Sequence, residues 1–132
     1  MGNYIPLPGV VAGESMTTWQ FKGVKLSAAA DRTVLKITNA NTERPIGILQ
    51  NDPASGEAAE VAAWGVCKAM YGDTVTRGQT LAFNNSGLLI ADAEVIAQTG
   101  ADLHHVADAL ESGAVNEVHQ VLLHTPTIVG LE

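Results

Sequence analysis

Four histidines, one cysteine and fourteen carboxylates are the side chains of this 132-residue chain best suited to ligating a metal or moving a proton. His104 and His105 are adjacent, and His119 and His124 lie five residues apart. Neither spacing fits a zinc finger or the H-E-x-x-H helix, where two ring nitrogens share one helical face. On an extended chain, residues an odd number apart point to opposite faces, so each pair diverges. Surface histidines and no metal site are the expectation. The serines, Ser15, Ser27, Ser55, Ser86 and Ser112, sit outside any G-x-S-x-G elbow. Cys67 lies in an apolar run and reads as a small buried hydrophobe. Two carboxylate pairs, Glu57 with Glu60 and Asp92 with Glu94, are close in sequence, but solvated turns explain them without acid–base work. The most concentrated polar stretch, Asn51-Asp52-Pro53-Ala54-Ser55-Gly56-Glu57, joins two apolar runs. Its Asn51, Asp52, Pro53 and Gly56 read as turn residues, because Pro fixes φ and Asn, Asp and Gly tolerate tight turns. No enzyme activity and no cofactor are expected.

One motif needs weighing against that conclusion. Within YGDTVTRGQTLAFNNSGLLIA, residues 71–91, the order G-D-x-V-x-x-G-Q-x-L resembles the signature of biotinyl and lipoyl carrier domains. Gly72-Asp73 turns, Val75 points inward, Arg77-Gly78 turns again and Leu81 returns to the core. Those carriers attach their group to a lysine at a hairpin tip. The turn here is Asn84-Asn85-Ser86-Gly87, and no lysine follows Lys68. The motif keeps its structural half and lacks the amine its chemistry requires.

The elements around these residues are short strands. Candidates are Gly23–Leu26, Thr33–Thr38, Pro45–Gln50, Ala58–Tyr71 (broken or bulged at Gly65), Gln79–Phe83 and Gly87–Ala91. Turn-forming residues separate them, at Ala40-Asn41, Asn51-Asp52-Pro53, Gly72-Asp73, Arg77-Gly78 and Asn84–Gly87. That rhythm predicts a mainly β fold, a small barrel or sandwich-like domain with at most one short helix. The one place for a helix is ADLHHVADALESG, residues 101–113, where Leu103, Val106, Ala107 and Leu110 keep helical spacing. A hairpin from Val106–Leu110 into Glu117–His124 fits the same residues. Residues 1–20 read as an extended N-terminal arm, because Pro6 and Pro8 forbid helix there. Residues 21–132 form a single β-rich domain. The arm is too apolar for a free tail, so Tyr4, Ile5, Leu7, Val10, Val11 and Trp19 are candidate contacts, either to its own domain or to a neighbouring subunit. If it lies on a neighbour, deleting residues 1–19 is expected to cost binding more than folding. Trp64 reads as an ordinary core side chain.

Composition narrows the partners. Aromatics are 5% of the chain against 46% apolar residues, so the core must be built mostly from Val, Leu, Ile and Ala. Net charge is −7, and the seven bases never run together, which disfavours nucleic acid and anionic membrane as partners. One cysteine permits no intrachain disulfide, and the start lacks the basic and apolar regions of a secretion signal. Synthesis and folding in the cytoplasm are expected.

Residues 45–92 resemble the core of tailed-phage capsid cement proteins, also called head decoration or stabilisation proteins. The resemblance is carried by Pro45-Ile46-Gly47, Leu49-Gln50-Asn51-Asp52-Pro53, Gly56-Glu57, Val61-Ala62, Gly65, Lys68, Gly72-Asp73, Gly78 and Leu81, in that order. The stretch VADALESGAVNEVHQVLL, residues 106–123, resembles that family's closing hairpin and tips the reading there from helix to hairpin. Two departures stand out: Gly87-Leu88 lacks the basic residue usual after that glycine, and residues 93–105 match nothing in the pattern. The resemblance implies a homotrimer on the outer capsid surface of a virion, bound to the major capsid protein and bridging its subunits.

Overall fold

The computed structural model describes residues 4–39, 43–91 and 103–129. They form ten strands: β1 (Tyr4–Pro6), β2 (Val11–Ala12), β3 (Gly23–Leu26), β4 (Thr33–Lys36), β5 (Pro45–Leu49), β6 (Val61–Met70), β7 (Thr80–Phe83), β8 (Leu89–Ala91), β9 (Leu103–Ala109) and β10 (Val118–Val129). None of the described residues is helical. The stretch that permitted either a helix or a hairpin is the hairpin, with Val121 opposite Ala109 and Leu123 opposite Ala107. The expected turn at Ala40-Asn41 and the pair Asp92 and Glu94 lie outside the described residues.

All ten strands belong to one mixed sheet in the order β2-β4-β3-β5-β6-β10-β9-β7-β8, with β1 also against β6. The pairings are antiparallel except β2 with β4. The barrel suggested by the strand rhythm does not close. β8 is three residues long, and it reaches back to the end of β6 through one bridge, Tyr71 to Leu89, instead of a ladder. A barrel needs continuous pairing all the way round. Here β6 is divided instead: its first residues pair β5, and Gly65–Met70 pair β10.

That division explains where the core lies. Ile48 and Leu49 are neighbours on β5, both fully buried, and they enter different hydrophobic clusters. Val61 and Ala62 on β6 split the same way. A strand covered on both faces needs a continuous apolar run, which is what Pro-Ile-Gly-Ile-Leu supplies. One cluster is filled from the C-terminal half by Leu81, Phe83, Leu89, Val106, Val121 and Leu123 around Tyr71. The other is filled by Val10, Ala12 and Met16 together with Val24 and Val34.

The connection from β4 to β5 is held by one carboxylate. Glu43 accepts the Thr38 and Asn39 backbone N–H groups, each at 2.8 Å, and the Thr38 hydroxyl at 3.0 Å. It also pairs with the Lys25 ammonium. Burial opposes ionisation of Glu43, yet Lys25 and the three other donors prevail and hold its pKa down to about 2. A carboxyl depressed in the fold contributes stability above its ordinary value of 4.5, and that stability is lost as pH falls towards about 2. Glu43→Gln should therefore cost about 1.5–3 kcal/mol at neutral pH, the range for hydrogen bonds to a charged group. Urea titrations at successive pH values should show the difference from the parent narrowing below pH 4.5. A difference that persists unchanged to the lowest pH would contradict this account.

Candidate functional site

The polar tip that joins β5 to β6 is occupied with holding the backbone. Asn51 accepts the Glu60 N–H at 2.9 Å and donates to the Ala58 carbonyl at 3.2 Å. Glu57 turns back to accept the Ala54 N–H at 2.8 Å. Gly56 has φ +86, a conformation that L side chains resist, which accounts for glycine there. Pro53 is buried and its carbonyl accepts the Met16 N–H at 2.9 Å, while Asp52 faces solvent. This geometry turns the chain and anchors the N-terminal segment.

The six arm residues are placed very differently from one another. Val10 is buried in the second cluster, and Leu7 and Trp19 pack against it. Tyr4 packs against the first cluster and donates its hydroxyl to Glu60. That bond first, then burial and the carboxylate charge, push the Tyr4 phenol up to about 12. Trp19 donates its indole N–H to the Gly23 carbonyl at 2.7 Å, and the Lys22 and Lys36 ammonium groups lie 4.8 and 5.5 Å from its ring centre. Its ring edge also lies against Gly87, in the turn between β7 and β8. Ile5 and Val11 are the two whose side chains face solvent, Ile5 at 62% exposure.

Ile5 has a partner that the sequence reading misplaces. It stands opposite Trp64 on β6, and Trp64 is 48% exposed instead of packed in the core. The pairing of β1 with β6 skips a residue between Ile5 and Pro6, and Gly65 follows at φ +104. The irregularity breaks simple alternation and turns the indole outward. Leu122 on β10, paired with Val66, is a further exposed apolar side chain on the strands beside it.

Cys67 is buried in the first cluster, and burial pushes its thiol up to about 12, so it stays protonated near neutrality. In the carrier-like stretch, Val75 and Leu81 are buried as that motif requires. Asn84 closes the tip by accepting the Ser86 and Leu88 N–H groups at 2.9 and 3.0 Å. Among the described residues, no group of three or more His, Cys, Asp or Glu is placed to hold a metal ion.

His119 has partners that sequence spacing did not reveal. Its ring sits between Glu111 and Glu117 and stacks on Tyr71, with ring centres 5.2 Å apart. Glu117 and His119 are two apart in a strand-like stretch, a same-face signal that was legible. Glu111 was not, because the intervening turn brings it back. No protein-family model matches the chain, and none of the curated proteins matches it.

Proposed function

We propose that the protein is a structural cement protein of a phage head, binding the outer capsid surface as a homotrimer and bridging major capsid subunits. The observation that carries this reading is the ordered run of Pro, Gly and small residues from Pro45 to Leu81 that resembles those proteins. The run lies on β5, the tip after it, β6 and the turns leading to β7, so it belongs to the architecture of the domain. Mechanistically the role is linkage: a ligand that binds only the assembled shell stabilises it by its binding free energy. Three copies acting together add avidity to modest individual footprints.

Ile5, Trp64 and Leu122 supply the apolar surface that such docking would use, since aromatic and aliphatic side chains anchor interfaces. The test is co-sedimentation of the purified chain with expanded empty capsids and with unexpanded precursor shells. Binding to expanded shells, weakened by Ile5→Ser with Trp64→Ser, is the expected result. Binding to neither shell would remove the proposal. A carrier-like domain that has lost its attachment lysine is the second reading, favoured by buried Val75 and Leu81. A covalent biotinyl or lipoyl adduct in the intact mass would decide for it.

A further inference from the structure

His119 sits at the start of β10, where residues 110–117 have just returned the chain from β9. Its Nδ1 lies 2.9 Å from a Glu111 carboxylate oxygen, and its Nε2 lies 3.0 Å from a Glu117 carboxylate oxygen. A neutral imidazole has one N–H and one lone pair, so it can donate to only one of these acceptors. The doubly protonated ring donates to both. The ring is held in place by Tyr71 on one side, and the Tyr71 hydroxyl donates to the Glu111 carbonyl at 2.7 Å. Gly113 leaves the room it needs, since a Cβ there would come within 2.3 Å of the ring.

The same connection is tied to the body of the domain through its backbone. Gly113 and Val75 exchange N–H···O bonds at 2.9 and 2.8 Å, and the Asn116 N–H meets the Tyr71 carbonyl at 2.8 Å. On it stand Val115, 54% exposed, and Leu110, 46% exposed. We propose that His119 is a pH-operated clasp on the 110–117 connection. As imidazolium it holds Glu111 and Glu117 together across the turn. As neutral imidazole it releases one of them and loosens the segment that presents Leu110 and Val115.

The electrostatics run in the same direction. Glu117 and then Glu111 raise the His119 pKa above its ordinary value of 6.5, against a smaller effect of burial. His119 in turn holds both carboxyls below their ordinary value. Two other ionisable side chains bear on the ring. Lys68 on β6 lines the same open cavity of about 600 Å³. Tyr71, at the end of β6, is pushed up to about 12 by burial and the Glu111 charge, and so stays a neutral phenol. Phe21, Val118 and Gln120 complete that cavity without adding charge.

The three groups titrate as a unit. A raised histidine contributes fully below pH 6.5, and its contribution is lost as pH rises through the folded value above it. Depressed carboxyls contribute above pH 4.5 and lose their contribution as pH falls through their folded values. The clasp is therefore closed in mildly acidic solution and opens on the alkaline side.

An NMR titration of the full chain tests this, following the His119 ring and the hydrogen-exchange protection factors of the Gly113 and Asn116 amides. Protection factors correct for the intrinsic rise of exchange with pH. The expected result is a His119 midpoint above 6.5 and a fall in the protection of both amides across it, as the ring gives up its second proton. In Glu111→Gln and Glu117→Gln, both at exposed positions, the midpoint should drop towards 6.5 and the step in protection should shrink. His119→Gln should show the lower protection at every pH. A parent midpoint at or below 6.5, flat protection through the midpoint, or carboxamide variants that titrate like the parent would each overturn the clasp.

Discussion

A chain lacking residues 1–19 is expected to lose its cooperative unfolding transition at 25 °C. The deletion removes Val10, Ala12 and Met16, all buried, along with the partly buried Leu7 and Trp19. Burying a Val or Met side chain is worth roughly 1.5–3 kcal/mol, so the loss reaches about 5 kcal/mol before any backbone effect. Whole domains are stable by only about 5–15 kcal/mol. The backbone adds to the damage. The Met16 N–H leaves the Pro53 carbonyl, Ala12 leaves both Glu57 and Gly56, and the Ala59 N–H loses the Val10 carbonyl. The β5–β6 turn thus loses its outer bonds just as Val24, Val34, Leu49 and Val61 lose their cover. Circular dichroism through a urea titration reads this directly. A truncated chain with the parent's midpoint would show that the segment is not part of the core. Ile5→Ser, at a solvent-facing position, should by contrast stay within about 1 kcal/mol of the parent, the scale of one cross-strand pair. Point changes at Ile5 and Trp64, and not the deletion, are therefore the way to separate docking from folding.

The strands were legible because turn chemistry and β-branched residues fix them locally. Gly23–Leu26 was read with its observed bounds, and Pro45–Gln50 overran β5 by one residue. The work of the N-terminal segment was not legible for a matching reason. Val10, Ala12 and Met16 follow no period, and their partners, Ala59, Glu57, Gly56 and Pro53, are remote in sequence. Apolar residues beside Pro6 and Pro8 look the same whether they cover their own core or a neighbour's. Trp64 failed through phase: Ala62 and Cys67 both point into the first cluster although they are an odd five positions apart, so regular alternation across Gly65 cannot hold. Closure of the sheet was likewise beyond periodicity, because it depends on the length of β8 and on how β6 shares itself between two neighbours. The His119 cluster needed the register of the β9–β10 hairpin before Glu111 and Glu117 could be seen to converge. Local rules gave the elements, and long-range packing decided the surfaces.

Gly47→Ala should be a strongly damaging single-methyl change, costing about 3 kcal/mol. In an ordinary strand the same substitution stabilises by roughly 0.5–1 kcal/mol, because glycine loses more freedom on folding. Here contact decides the sign. A Cβ at Gly47 would stand 2.3 Å from the Ala62 carbonyl oxygen and 2.7 Å from a Val61 methyl. The first of these is backbone and cannot rotate away. Relief requires β5 to move off β6, and β5 carries Ile48 into one cluster and Leu49 into the other. Overpacking of that kind costs about 1–3 kcal/mol even where a single core adjusts. Gly56→Ala provides the contrast. Nothing lies within 4 Å of its added carbon, so only its φ of +86 resists, at about 1–2 kcal/mol. Urea midpoints for the two variants should therefore fall in that order, Gly47→Ala well below Gly56→Ala. A Gly47→Ala chain as stable as the parent would mean that β5 and β6 do not approach so closely. The Pro-Ile-Gly order at the head of the cement-protein resemblance has a mechanical cause on this account. Pro45 begins the strand, Ile46 packs against the second cluster, and Gly47 admits the neighbouring backbone that keeps the two cores on opposite sides of one strand.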